Sequence, residues 1–183
     1  MGQLLILCGP STSGKTTISN LFPLKPLVSI TTRPKREGEI DGVHYHFLSP
    51  EEFDRLDKAG EIPEKTVYAG VKYGIFKRDI EEILTGVSRI AVLDAVGIRF
   101  MQDYIGRENV KAVYIGVTLE TMKKRLLERG SKEEEINRRI SQALEKELTP
   151  EYRAVCDAEI WNEGSIDESI TQLTALLNEW NLF

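Results

Sequence analysis

Leu4-Leu-Ile-Leu-Cys8 runs directly into Gly9-Pro-Ser-Thr-Ser-Gly14-Lys15-Thr16. Five consecutive apolar residues suit a strand covered on both faces, as in a parallel sheet, better than a strand with one wet face. The eight residues that follow fit G-x-x-x-x-G-K-[ST]. In such a loop, successive backbone N–H groups and a helix N-terminus surround a phosphate that glycine lets approach closely. A chance glycine-rich turn can match so short a pattern. The buried strand before it and the helix expected from Lys15 are the context that the phosphate reading requires. On that reading Gly9, Pro10, Ser11, Thr12, Ser13, Gly14, Lys15, Thr16 and Thr17 hold the phosphates of a nucleoside triphosphate, with Lys15 bridging the β- and γ-phosphates.

Further short strands are expected at Leu27 to Ile30, Ile90 to Asp94, Val110 to Val117 and Glu159 to Trp161, separated by stretches of helical patterning. That alternation predicts an α/β fold with a mostly parallel sheet flanked by helices. Asp94 ends the apolar strand Ile90-Ala-Val-Leu-Asp94. A carboxylate there can hold the water shell of a Mg²⁺ ion that also takes the Thr16 hydroxyl. The plainer reading of Asp94 is a strand-end carboxylate capping a turn. Ser49/Glu52, Ser131/Glu134 and Ser165/Glu168 have the spacing of capping boxes, so each predicts a helix start. Thr118 to Arg129 and Ser131 to Leu148 read as two helices broken at Gly130.

Of the 183 residues, 41% are hydrophobic and 29% charged, enough for one well-buried core and too few for two typical domains. The formal net charge of −5 gives no general attraction for nucleic acid or anionic lipid, so any basic chemistry must be local. Cys8 and Cys156 are far apart and outside any metal-ligand spacing, which suits buried thiols in a reducing compartment. No apolar run is long enough to span a bilayer and the first residues lack a leader's pattern, so cytoplasmic residence is expected. Nothing marks an oligomeric interface.

The local basic chemistry lies between Thr31 and Ile75, where polar turns and the alternating Val43-His-Tyr-His-Phe47 replace long apolar runs. Arg33-Pro-Lys-Arg36 concentrates charge in a predicted loop. Two arginines three apart beside tyrosine hydroxyls suit a bidentate anion clamp; a solvated basic turn is the alternative. Arg125 and Arg129, four apart, share a helix face, where salt bridges with Glu128, Glu133, Glu134 and Glu135 are the ordinary expectation.

Ser29-Ile-Thr-Thr-Arg33-Pro-Lys-Arg36-Glu-Gly-Glu-Ile-Asp-Gly-Val-His-Tyr45-His-Phe47, followed by Ser49-Pro-Glu-Glu-Phe53, closely resembles the nucleotide-binding lobe of guanylate kinases. The likeness continues through Gly60-Glu-Ile-Pro-Glu64, Gly70-Val-Lys-Tyr73-Gly74, Arg125-Leu-Leu-Glu-Arg129-Gly130, Asn137-Arg-Arg139 and Trp161-Asn162, and so spans nearly the whole chain. It implies a P-loop NTPase core (about 1–30, 76–120 and 150–183), an inserted lobe for the nucleoside monophosphate (about 31–75) and a helical lid (about 121–149). It implies ATP as co-substrate with Mg²⁺, and phosphoryl transfer to GMP or dGMP. Arg33, Arg36, Tyr45 and Tyr73 would grip the acceptor's phosphate, with Ser29 among the acceptor-binding residues. Glu64 would accept from the base's N1–H and N2–H. Arg125, Arg129 and Arg139 would join Lys15 and Arg33 on the transferring group, and Asn162 would lie near the donor's adenine. His44 and His46 have no evident chemical role.

The pattern is broken in three places. After Tyr73-Gly74 the family usually has Ser or Thr facing the base, where this chain has Ile75; its second Walker-strand aspartate is here Val96; and Pro23 and Pro26 shorten the first helix segment. If Ile75 and Val96 line the base pocket, two of three polar contacts are lost and guanine selectivity should weaken. Two alternatives therefore stay open: a related kinase with another phosphorylated acceptor, or a non-catalytic binding domain. The intact Lys15-Thr16 and lid arginines argue against the second.

Overall fold

A computed structural model describes residues 1–68 and 70–182. β1 (Leu4–Cys8) is the central strand of a five-stranded sheet, and all five of its side chains are buried. Its alternation sends Leu4, Ile6 and Cys8 into one core and Leu5 and Leu7 into another. Helices α1 (Lys15–Leu21) and α8 (Ile166–Glu179) cover the second face through Ile18, Phe22, Leu173 and Leu177. Helices α3 (Lys77–Leu84) and α4 (Ala95–Ile105) cover the first through Ile80, Ile83, Ile98 and Met101. A continuous apolar strand is thus the sequence form of a strand between two helical layers.

The remaining strands of this sheet are β2 (Lys25–Pro26), β7 (Arg89–Val92), β8 (Val110–Gly116) and β9 (Ala158–Trp161). Their order is β2-β7-β1-β8-β9, and every pairing is parallel. The chain leaves β1 between its two neighbours, so the crevice beyond the carboxyl ends of β1, β7 and β8 is where a ligand is held in such sheets.

A second sheet, ordered β4-β3-β6-β5, contains β3 (Ile30–Thr31), β4 (His46–Phe47), β5 (Glu64–Tyr68) and β6 (Val71–Ile75). Helix α2 (Pro50–Lys58) packs on one face of it through Phe53, against Ile30 and Ile62. Lys65 and Lys72 form ion pairs with Asp57 and Asp54 of α2 on that side. Helices α5 (Leu119–Glu128) and α6 (Glu133–Gln142) form a third unit around Met122, Leu126 and Ile136, and a wider helical turn over 143–147 and the short α7 (Pro150–Arg153) lead back to β9.

Three expectations are corrected. The strand expected at Leu27 to Ile30 is divided: Lys25–Pro26 edges the main sheet, Leu27 N donates to Ile90 O, and Ile30–Thr31 belongs to the second sheet. Pro26, lacking a donor, is tolerated because β2 is an edge. Ser131 does not cap α6; Lys132 holds that position and the helix begins at Glu133, with Ser131 instead hydrogen-bonded to Glu135. The helix expected through Leu148 is regular only to Gln142 and continues as a wider helical turn over 143–147, with Leu148 at its end. Ser49 and Ser165 do cap α2 and α8, the latter with the reciprocal Glu168 bond.

Candidate active site

The loop after β1 adopts the backbone that its glycines allow. Gly9 and Gly14 have φ of 126° and 94°, and Thr12, at 63°, is one of two non-glycine described residues with positive φ. Such strain persists only where surroundings hold it, and it gathers at ligand sites. The holders are visible. Asn162, 1% exposed, donates Nδ2–H to Ser13 O at 2.8 Å, and a Cβ on Gly14 would come within 2.5 Å of that same nitrogen. Arg125 donates to Thr12 O at 3.1 Å and Asn162 O at 2.8 Å, and Arg139 donates to Ser11 Oγ at 2.7 Å. Two arginines of the helical unit formed by α5 and α6 therefore rest on the loop.

Lys15 folds back over the loop, its Nζ donating to Gly9 O (2.8 Å) and Pro10 O (2.6 Å). Burial pushes its pKa down to about 8, with the Glu147 charge opposing and Arg129 reinforcing the shift. Thr16 is exposed at the start of α1, and it lines, with Thr12, Gly14, Lys15, Thr17 and Arg129, a small cavity of about 70 Å³.

Two larger cavities share Ser29, Tyr45 and Val92 as walls. The first, about 430 Å³, is lined by Thr16, Thr17, Arg33, Arg36, Glu39 and Arg129 among others. Arg33 makes a two-pronged ion pair with Glu39 and lies 5.0 Å from the Tyr45 ring centre and 5.4 Å from that of Phe47. The guanidinium holds Glu39 well below the usual carboxylate range. Ion pairing and aromatic stacking together fix the orientation of the Arg33 fork before any anion arrives. Tyr45 meets Tyr73 edge-on at 6.1 Å.

The second cavity, about 280 Å³, joins Lys15 and Ser11 at one end to Glu64, Thr66, Tyr73 and Asp94. Glu64 is 5% exposed, and no described residue hydrogen-bonds or ion-pairs its carboxylate. Burial, then the nearby Asp94 charge, raises its pKa to about 7. One oxygen of Asp94 caps α4, accepting from Val96 N at 3.0 Å and Gly97 N at 2.9 Å. Gly97 matters here because a Cβ at that position would approach Glu64 Oε1 to 3.3 Å and Leu93 Cβ to 3.1 Å.

Ile75 and Val96, expected on the base pocket, line neither cavity. Ile75 is wholly buried in the core with Ile80, Ile83 and Ile98, and Val96 is 67% exposed on the first turn of α4. Sequence reasoning also missed Glu147, a half-buried acid beside Lys15 that accepts the Ser11 N–H and whose pKa desolvation raises. It missed Thr66 and Glu39 too. The only hint of Glu39 was its position three residues after Arg36, and Glu147 sits in an ordinary run of charged helix residues. His44 accepts from Ile40 N at 3.0 Å and His46 packs edge-on against Phe76.

A strained glycine loop, an arginine ion-paired with Glu39 and a lone buried carboxylate line two cavities that share a wall. A sequence model of the family described as Guanylate kinase matches residues 1–180. The chain is 36% identical to a guanylate kinase of Symbiobacterium thermophilum, over 85% of this chain and 78% of that one. It is 35% identical to a guanylate kinase of Wolbachia pipientis, over 99% and 92%. The crystal structure of guanylate kinase from Anaplasma phagocytophilum superposes with a TM-score of 0.75 at 28% identity, covering all of this chain and 87% of that one. Sequence, fold and the two-ended crevice agree, and the chain belongs to the guanylate kinase family.

Proposed function

We propose that this chain transfers the γ-phosphoryl group of ATP to the phosphate of GMP, with dGMP also an acceptor, and that Glu64 receives the guanine edge. The observation that carries this reading is the unpartnered Glu64 carboxylate, buried at the far end of the cavity that begins at Lys15. A buried carboxylate without a partner is expensive unless a ligand supplies donors, and guanine's N1–H and N2–H are two adjacent donors.

Phosphoryl transfer asks the protein for position and charge more than for covalent chemistry. Lys15 and the loop's N–H groups hold the donor's β- and γ-phosphates, displacing the Lys15 contacts to Gly9 O and Pro10 O. Ser29, Arg33, Arg36, Tyr45 and Tyr73 orient the acceptor's phosphate, and Glu39 keeps the Arg33 fork aimed. Arg125, Arg129 and Arg139 bring positive charge to the equatorial oxygens as 121–149 closes and excludes water. Asn162 supports the loop from beneath and stands at the donor's nucleoside side.

Mg²⁺ fits the residues present. Thr16 offers an exposed hydroxyl and Asp94 one oxygen not spent on capping, and no group of three acid, His or Cys side chains among the described residues forms an all-protein cage. Mg²⁺ keeps most of its waters and phosphate oxygens, so one hydroxyl and one outer carboxylate are enough. The ion supplies charge neutralisation on the phosphates when bound.

The alternative of another phosphorylated acceptor rested on an apolar base pocket made by Ile75 and Val96, and neither residue is in the cavity wall. No described helix is long and apolar enough to cross a membrane. Chromatographic separation of the products after incubation with ATP, Mg²⁺ and GMP tests the proposal. Equal amounts of ADP and GDP are expected; ADP without GDP would refute it.

A further inference from the structure

The register of β5 and β6 decides which side chains face the base end of the crevice. Glu64 pairs with Ile75 and Thr66 with Tyr73 across the antiparallel ladder, and directly paired residues share a face. Residues two apart along a strand share it as well. The intervening positions face the other way: Lys65 and Lys72 reach Asp57 and Asp54 of α2 behind the sheet. Thr66 therefore stands on the crevice face one step from Glu64, and it lines the same cavity. Its hydroxyl has no hydrogen-bond partner among the described residues.

Guanine presents three groups along one edge: two donors, N1–H and N2–H, and the O6 acceptor. Glu64 and Asp94, both carboxylates, serve donors but not O6 while ionised. Ile75 is in the core and Val96 on the surface, so neither position reads O6. Of the other hydroxyls on this cavity, Ser11 belongs to the loop after β1, Tyr152 comes from α7 and stands among Cys8, Glu147 and Asp94, and Ser29, Tyr45 and Tyr73 stand at the wall shared with the arginine clamp or beside it. Thr66 is the neutral donor beside Glu64.

Resting on the reading of Glu64 as the guanine acceptor, we propose that Thr66 is a specificity-determining residue whose hydroxyl donates to guanine O6. Glu64 and Thr66, i and i+2 on one strand, then read the donor and acceptor halves of the same base edge. A wrong base leaves one of the two unpaired, which is how a small polar set discriminates strongly.

The test compares Thr66→Val and Thr66→Ser with wild type on three acceptors: GMP, 6-thio-GMP and IMP. The thio analogue weakens only the O6 position, and IMP removes only the N2 donors. Valine keeps shape and strand preference, so the fold should persist, and circular dichroism checks this. Thr66→Val is expected to lower kcat/KM for GMP about 10-fold, chiefly through KM. It should also bring the GMP to 6-thio-GMP ratio close to unity while leaving the GMP to IMP ratio within about 2-fold of wild type, and Thr66→Ser should recover most of the loss. Equal losses on all three acceptors, or none, overturn the role of Thr66. Glu64→Gln in the same series separates the two claims: an unchanged GMP to IMP ratio in that variant overturns the base site itself, and the Thr66 proposal with it.

Discussion

Glu64 is a carboxylate held above its ordinary range. Burial, reinforced by Asp94, lifts its pKa to about 7, whereas an unfolded glutamate titrates near the ordinary 4.5. If Glu64 receives the guanine edge as proposed, only its carboxylate accepts both N1–H and N2–H, so GMP selects the deprotonated form and its binding below that pH releases a proton. KM for GMP is therefore expected to rise as pH drops from 8 to 6, approaching about 10-fold per unit below the pKa, with kcat much flatter. Glu64→Gln should flatten the KM profile; a profile unchanged by that substitution would remove Glu64 from the base site. The same shift acts on the fold with a definite sign. Between pH 4.5 and about 7 the folded protein holds a proton that the unfolded chain has lost, so this group's contribution falls as pH rises through that window. Lys15 is shifted the other way, to about 8, and must be protonated to meet phosphate. KM for ATP should rise above pH 8 as the free enzyme's Lys15 loses its proton, and an alkaline limb absent from the ATP titration would contradict that role. At this scale a motif pointed to Lys15, and the structure sets that lysine over the loop that the motif predicts. The sequence was silent on Glu39, Glu147 and Thr66, because a charge in a polar loop or helix carries no sign of the partner that tertiary folding brings.

Element starts were readable because they depend on neighbours in the chain. Ser49, Ser165 and Thr118 cap helices through bonds three residues long. Depth was not readable. Period-two alternation in β6 gives the face of Ile75, but α3 and α4, which close over it, come from elsewhere in the sequence. With Ile75 in the core, Ile75→Ser buries a hydroxyl and leaves space rather than adding a base contact, and a loss of about 2 kcal/mol in denaturant unfolding is predicted with little gain in selectivity. Increased discrimination between GMP and AMP would put Ile75 back on the pocket. Asp94 joins element and chemistry, capping α4 at the strand end facing the cavity. Asn caps as well as Asp, so Asp94→Asn should keep stability within about 0.5 kcal/mol, whereas Asp94→Ala should lose about 1 kcal/mol. If the second carboxylate oxygen serves the Mg²⁺ shell, both lose activity alike. An active Asp94→Asn enzyme would leave Asp94 a cap alone.

Across the whole molecule, the parallel sheet delivers the glycine loop after β1, and a second sheet carries Glu64, Thr66 and Tyr73, the residues proposed for the acceptor. The helices over 119–142 reach back to the loop through Arg125 and Arg139. The main topology was legible from the order of strand, glycine loop and helix, since parallel strands need helical crossovers. The split of β2 from β3 was not, because it depends on where the chain leaves one sheet for the other. The account's central claim is that a guanine-reading site and an ATP site share one crevice. Initial rates of ADP formation with Mg²⁺ and ATP, taken against GMP, dGMP, AMP, CMP, UMP and dTMP with Lys15→Ala as the blank, test it most directly. The account predicts kcat/KM for GMP and dGMP at least about 100-fold above the other acceptors, and loss of turnover in the blank; a different monophosphate used as well as GMP, or turnover that survives Lys15→Ala, would contradict it.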